Sequence, residues 1–339
     1  MRILITHADE PLGRRIAKTL YHDEAVEAIF AVGAGPPPRS FDRYLGSDES
    51  RLQYARVDLA RHRSARDFFH SERFAKAEIE SVIHVPRHGA AAGAAAPIAA
   101  GLPERTAETR LVLQNCLETP SIRNLIALGS AFVYRLPPGN ANRLSEESEL
   151  DLDPDVPGEI RSWIDCDMIF HGEVHNDRLR VVLLRLPTVV AEGGYVYLNP
   201  LLEGRPGLRF RALGFDPICA LVSDKDVARA VQAAAHSRRP GIYNISGCEA
   251  VPLSVLSRWT GRAALPLPGL LLGLSGRLSR LVGTQSLAGG VSLPQLLYGF
   301  TLETSRAEHE LGFRPSYQIG LARAGDGALR LETAPSSIG

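Results

Sequence analysis

Lysine is almost missing from this chain of 339 residues. Of the 38 basic residues, only Lys18, Lys76 and Lys225 are lysines, and none lies between Lys76 and Lys225. An arginine-rich, lysine-poor balance is the ordinary mark of a GC-rich coding sequence. Its consequence is chemical: a catalytic lysine is excluded from the middle of the chain. Net charge is absent too, with 38 acidic residues against 38 basic ones. No basic footprint for nucleic acid follows from such a balance. The four cysteines, Cys116, Cys166, Cys219 and Cys248, form no CxxC pair. That excludes a local zinc motif and a disulfide framework and suits a reducing compartment. No apolar run reaches the ~18 residues of a membrane span. A strand pattern begins within two residues of Met1, with no basic and apolar leader before it, so the cytoplasm is the expected location.

Glycine is scarce where it matters most. The segment Thr6-His7-Ala8-Asp9-Glu10-Pro11-Leu12-Gly13 follows an apolar strand, Arg2-Ile3-Leu4-Ile5, and precedes a helical pattern of Leu12, Ile16, Ala17 and Leu20. Such a βα turn wants glycines so that backbone N–H groups can close on a diphosphate. Only Gly13 of a three-glycine spacing is present, and two carboxylates stand where the anion belongs. A helix N-terminus carries unpaired N–H groups and partial positive charge. Asp9 or Glu10 is therefore expected to cap the helix in place of a phosphate, with Pro11 in its first turn.

What the chain has in abundance is strand and helix in alternation. Strands are predicted at 3–6, 28–32, 53–58, 82–85, 125–128 and 181–184, and helices at 12–21, 65–71, 104–118 and 159–175. Short Val/Ile/Leu runs separated by amphipathic helices predict an α/β fold, a Rossmann-type doubly wound parallel sheet. Residues 1–185 form this dinucleotide-binding-like domain. Residues 186–321 form a smaller C-terminal lobe of the substrate-binding type, from which the chain returns to the sheet. The low-complexity stretch 322–339 is expected to be disordered. Residues 265–283 place Leu270, Leu271, Leu274, Leu278 and Leu281 on one helical face, beside Arg277 and Arg280. That face suits packing into the lobe, or over a substrate cleft, better than a membrane surface.

Several stretches resemble the extended short-chain dehydrogenase/reductase family, the NAD-dependent epimerase/dehydratase group, over roughly residues 1–320. LIALGSAFVYR resembles the family's fifth strand, with Ser130 on its catalytic serine, and VVLLRLPTVV its sixth strand. SDKDVARAV and GIYNISG resemble later segments, and ETSRAEHELGFRPSY resembles the C-terminal signature. The resemblance implies a catalytic tyrosine with a lysine one helical turn later, the phenol as acid/base and the ammonium depressing its pKa. Counting back from Arg185 places Trp163 at the tyrosine and Asp167 at the lysine. An indole has no titratable proton, and a carboxylate has the wrong charge to depress a phenol. No shift of register repairs this, because the region holds no lysine.

Other positions depart as well. The first two glycines of the cofactor loop fall on His7 and Glu10. The ribose-binding acid falls near Gly33, and the fourth-helix asparagine near Arg105. Gly13, Ser130 and Asp58, which resembles the adenine-contacting aspartate, remain. The cofactor-binding set implied is thus His7, Glu10, Gly13 and Asp58, with no or weak NAD(P) binding. No metal site is expected: Asp167, His171 and His175 follow at i, i+4 and i+8, but Gly172 interrupts them and no further ligand is near.

The leading expectation is a catalytically degenerate member, a pseudoenzyme with a binding, regulatory or scaffolding role. Its partner is an unidentified small molecule or protein. The alternative is an NAD(P)-dependent oxidoreductase or epimerase with rearranged catalytic groups, acting on a nucleotide sugar or a lipid-like alcohol. In that case NAD(P) binds, and Arg14, Arg15 or Arg39 favours a 2′-phosphate. A third possibility is different chemistry through His7, Asp167 or His171. The resemblance also implies a homodimer built on the helices at 104–118 and 159–175.

Overall fold

The computed structural model describes residues 1–46, 50–87, 102–136, 143–191, 195–197, 209–259, 264–268, 271, 293–323 and 329–335. Seven parallel strands form the central sheet. In chain order its first five are β1 (Arg2–Ile5), β2 (Ala28–Gly33), β3 (Leu52–Arg56), β4 (Ser81–His84) and β5 (Asn124–Ser130). After the short β6 (Arg143–Leu144) comes β7 (Arg180–Leu186). The lobe then supplies β8 (Thr188–Ala191), β9 (Tyr195–Tyr197), β10 (Arg209–Ala212) and β11 (Ile218–Ser223) before β12 (Gly241–Asn244) rejoins the sheet. The spatial order is β12-β7-β5-β4-β1-β2-β3. The chain winds outward in both directions from β1, so the topological switch lies between β1 and β4. Ligands of open α/β sheets bind at the carboxyl ends of the strands beside such a switch.

Strand segments Ile3–Ile5, Val82–Ile83, Leu125–Leu128 and Val181–Leu184 are buried on both faces, as their unbroken apolar runs predict. One face is covered by α1 (Pro11–Tyr21) and α6 (Asp224–His236), through Leu12, Ile16, Leu20, Val227 and Val231. The other carries α2 (His62–Phe69) and α4 (Leu102–Glu118), through Ala65, Phe68, Val112 and Leu113. Helix α5 (Gly158–His171) packs beside α4 and contributes Trp163 to the first layer and Phe170 to the second. Each fully buried Leu, Ile or Phe contributes about 1.5–3 kcal/mol.

Three expectations change. Helix α5 ends at His171 rather than at residue 175, because Gly172 caps it. A short helix, α3 (Glu72–Ala77), follows α2 and starts on the Ser71 side chain, which accepts the Phe74 N–H. The segment expected to be disordered contains β17 (Leu329–Pro335), paired antiparallel with β16 (Tyr317–Arg323) from Tyr317↔Pro335 to Arg323↔Leu329. Its Leu-x-Leu alternation is the strand signal that composition alone hides. Most of the leucine-rich stretch 265–283 lies outside the described residues. No described helix is long and apolar enough to cross a membrane.

Candidate functional site

Between Thr6 and Ala8 the chain changes partners. The Thr6 N–H donates to Ile83 O of β4 (3.0 Å), and the Ala8 N–H donates to Val32 O of β2 (2.9 Å). His7 sits at that branch with φ +47°, a left-handed conformation in which the family's glycine would be unstrained. Its imidazole crosses the switch point to α4 and bonds through Nε2 to Oε1 of Glu108. Both side chains are buried. Burial opposes charge on each, yet the facing charges hold the imidazole above its ordinary pKa and the carboxyl below its own. Beneath them His84 bridges Thr6 Oγ1 and Thr109 Oγ1, 3.2 Å from each. Burial pushes His84 down to about 4, so it is neutral.

The carboxylates of the first loop do not cap α1. Glu10 occupies the N-cap position, with Pro11 at the start of the helix, and its side chain makes no capping bond. Asp9 turns instead toward the end of β2, where its Oδ2 accepts the Gly35 N–H at 2.8 Å. A Cβ at Gly33 would overlap the Asp9 carboxylate. The loop thus sets a carboxylate over Gly33 at the end of β2. Asp9 Oδ1 is buried there without a hydrogen-bond partner. Gly13 is held by packing: a Cβ on it would overlap the His7 carbonyl.

At the family's catalytic end, Ser130 is fully buried and its Oγ accepts the Phe132 N–H at 3.2 Å, starting a short helical turn. Trp163 is 3 % exposed, with the Arg105 guanidinium 4.1 Å above its ring. Arg105 also donates to Glu159 Oε1 (2.8 Å) and Ser162 Oγ (3.3 Å). Asp167 is gripped by Arg185 through two bonds, Nε to Oδ2 and Nη2 to Oδ1, each 2.8 Å. Arg185 donates a third to the Tyr134 hydroxyl (2.9 Å), which donates to Asn244 Oδ1 (2.7 Å). Burial lifts the Tyr134 phenol to about 12, outweighing the neighbouring guanidinium.

Asp58 accepts Arg87 Nη2 at 2.9 Å and faces Arg61 at 3.3 Å. Arg15 is committed to Asp224 of α6 at 2.9 Å. A dinucleotide held in the family's manner finds neither a glycine cradle at His7 and Glu10 nor a Tyr/Lys pair at Trp163 and Asp167. These residues do not fit that group.

The structure brings His7 and Glu10 together in one loop with Gly13 in the first turn of the helix that follows, and Trp163 and Asp167 onto one helix. It does not join His7, Asp167 and His171, because His171 is exposed at the end of α5 while Asp167 points inward to Arg185. Among the described residues no group of His, Cys, Asp or Glu is arranged to hold a metal ion. Sequence reasoning did not find Glu108, Glu159 or the pairing of Arg185. Glu108 lies on α4 and Glu159 on α5, both turned inward among buried residues.

No family model matches the chain. Uncharacterized proteins of Mycobacterium bovis and Mycobacterium tuberculosis are 25% identical over 321 residues, covering 93% of this chain and 80% of theirs. Among solved structures, Pal from Bacillus thuringiensis is similar with a TM-score of 0.67 at 14% identity, covering 94% of this chain and 95% of that one. UDP-glucose 4-epimerase from Bifidobacterium longum, in complex with NAD+ and UDP, gives 0.66 at 15% identity, covering 94% of each chain. UDP-glucuronic acid 4-epimerase from Bacillus cereus gives 0.63 at 17% identity, covering 94% and 95%. The chain has the Rossmann-type α/β fold of these epimerases.

Proposed function

We propose that this chain is a catalytically degenerate protein on the frame of the NAD-dependent epimerases and dehydratases, acting by binding a small molecule or a protein rather than by turnover. The observation that carries the reading is the buried Asp167–Arg185 pair at the family's lysine position. A general acid/base needs a pKa near the working pH and reach to the reacting proton. Trp163 offers no such group. Tyr134, the phenol bonded to Arg185, titrates at about 12 and is 1 % exposed. Ser130 is fully buried, and its Oγ accepts a backbone N–H.

A second reading, an NAD(P)-dependent oxidoreductase or epimerase with rearranged groups, draws support from Asp9, whose carboxylate stands where a ribose acid belongs. Turnover separates the two. The purified protein is incubated with NAD+ or NADP+ and UDP-glucose, UDP-glucuronic acid or dTDP-glucose, and products are followed by chromatography and nicotinamide absorbance. The expected result is no conversion above a protein-free blank. Sustained conversion that scales with protein concentration would sink the proposal.

A further inference from the structure

We infer that the first loop is a built-in occupant of the nucleotide crevice, and that the His7–Glu108 bridge is the latch that shuts adenine nucleotides out. The inference rests on the reading of the chain as a degenerate member, and adds what closes the site and what opens it.

Three observations converge. The first is place: His7 stands at the branch where the backbone leaves β4 for β2, and its side chain spans the switch point to α4. A diphosphate entering by the route open sheets use would meet this bridge. The second is conformation. A residue with a Cβ holds φ +47° there, a state that needs the surroundings to enforce it. The bond to Glu108 is the enforcing contact. The third is an unsatisfied group: Glu108 Oε2 is buried with no hydrogen-bond partner. A pair kept only for stability is usually replaceable by apolar side chains at no loss. Asp9 completes the arrangement by filling the space above Gly33.

The latch is a pair of buried side chains on two elements, and replacing His7 opens it at the cost of leaving the Glu108 carboxylate without its partner. His7→Gly/Glu10→Gly restores the cradle and removes the strained Cβ. His7→Asn is the gentler variant, because asparagine tolerates a left-handed φ and is too short to reach Glu108. ADP-ribose is the probe. It carries the diphosphate and adenosine but no nicotinamide, so Trp163 and catalysis do not enter the result. Binding is read by titration calorimetry and by the shift in melting temperature, with circular dichroism as the check on folding. The wild type is expected to bind ADP-ribose only weakly, and the folded glycine variant at least about tenfold more tightly. His7→Asn is expected to gain in the same direction. Wild-type binding as tight as that of the variants, or folded variants of both kinds with no gain, overturns the inference. Turnover by the wild type would overturn the functional proposal instead, and ADP-ribose affinity does not report on that.

Discussion

Arg185 on β7 holds Asp167 on α5 through two parallel hydrogen bonds of 2.8 Å, and each side chain is 1 % exposed. A fork-to-fork guanidinium–carboxylate pair of this kind is specific in direction and strong when dry. It also makes the site hard to convert back. A lysine at residue 167 would place an ammonium against a buried guanidinium.

Asp167→Lys is therefore expected to lose about 3–5 kcal/mol of stability, the cost of breaking a buried pair. Urea denaturation measures it. The double variant Trp163→Tyr/Asp167→Lys, which restores the family's residue types, is expected to show no turnover, because Arg185 stays in place, bonded to Tyr134 but without its carboxylate. Dehydrogenase or epimerase activity in a folded double variant would contradict this.

Arg105 has two tasks, stacking on Trp163 and neutralising Glu159. Arg105→Ala leaves the buried Glu159 carboxylate without its guanidinium and should cost about 3 kcal/mol. Arg105→Lys should recover little of it, since an ammonium neither stacks as a plane nor reaches Ser162 and Glu159 as a fork. Equal stability of the lysine variant and wild type would refute this account of the pair.

Gly33 and Asp9 compete for one volume. Gly33→Ala is expected to destabilise the chain by about 1–3 kcal/mol, as overpacking does. In an Asp9→Ala background the same change should cost clearly less, because the two sites are coupled through that space. Additive costs in a double-mutant cycle would show that Asp9 does not sit over Gly33.

Acid should weaken the fold through His84. Its folded pKa, about 4, lies below the ordinary imidazole value of 6.5, so the unfolded chain binds more protons between those values. Stability then falls as pH drops from 6.5 toward 4, by a total on the order of 3 kcal/mol. His7 does not cause this loss, and Glu108 adds to it only below about 4.5. The raised His7 contributes fully below 6.5, and the lowered Glu108 contributes above 4.5. Comparing the acid slope of wild type with that of His84→Gln tests the assignment: the slope should flatten in the variant, and an unchanged slope would count against it.

The homodimer implied by the family resemblance remains a proposal that one measurement can test. Helices α4 and α5 pack side by side, and Met168 on α5 is 51 % exposed. Light scattering is expected to give twice the chain mass, and Met168→Glu to give a monomer. A wild-type monomer at all concentrations would remove the idea.

The sheet was legible because doubly buried strands read as continuous apolar runs, and Ile3–Ile5, Val82–Ile83 and Val181–Leu184 are such runs. Trp163 and Asp167 were reached through the family resemblance, by counting back from Arg185, and the structure sets both on α5. Their partners were not. Arg185 lies 18 residues from Asp167, and Glu108 lies 101 residues from His7, so both pairings exist only after the layers assemble. The expected helix cap failed for a local reason. Asp9 found a free N–H on Gly35 and an empty volume over Gly33, and neither is visible from the loop's own sequence.

The most direct test of the account is whether nicotinamide can reach Trp163. The chain has two tryptophans, Trp163 and Trp259. Titration of wild type and Trp163→Phe with NADH, followed by tryptophan fluorescence, reads that contact. The account predicts no saturable quenching in the micromolar range and no difference between the two proteins. Saturable quenching in wild type that disappears in Trp163→Phe would contradict it.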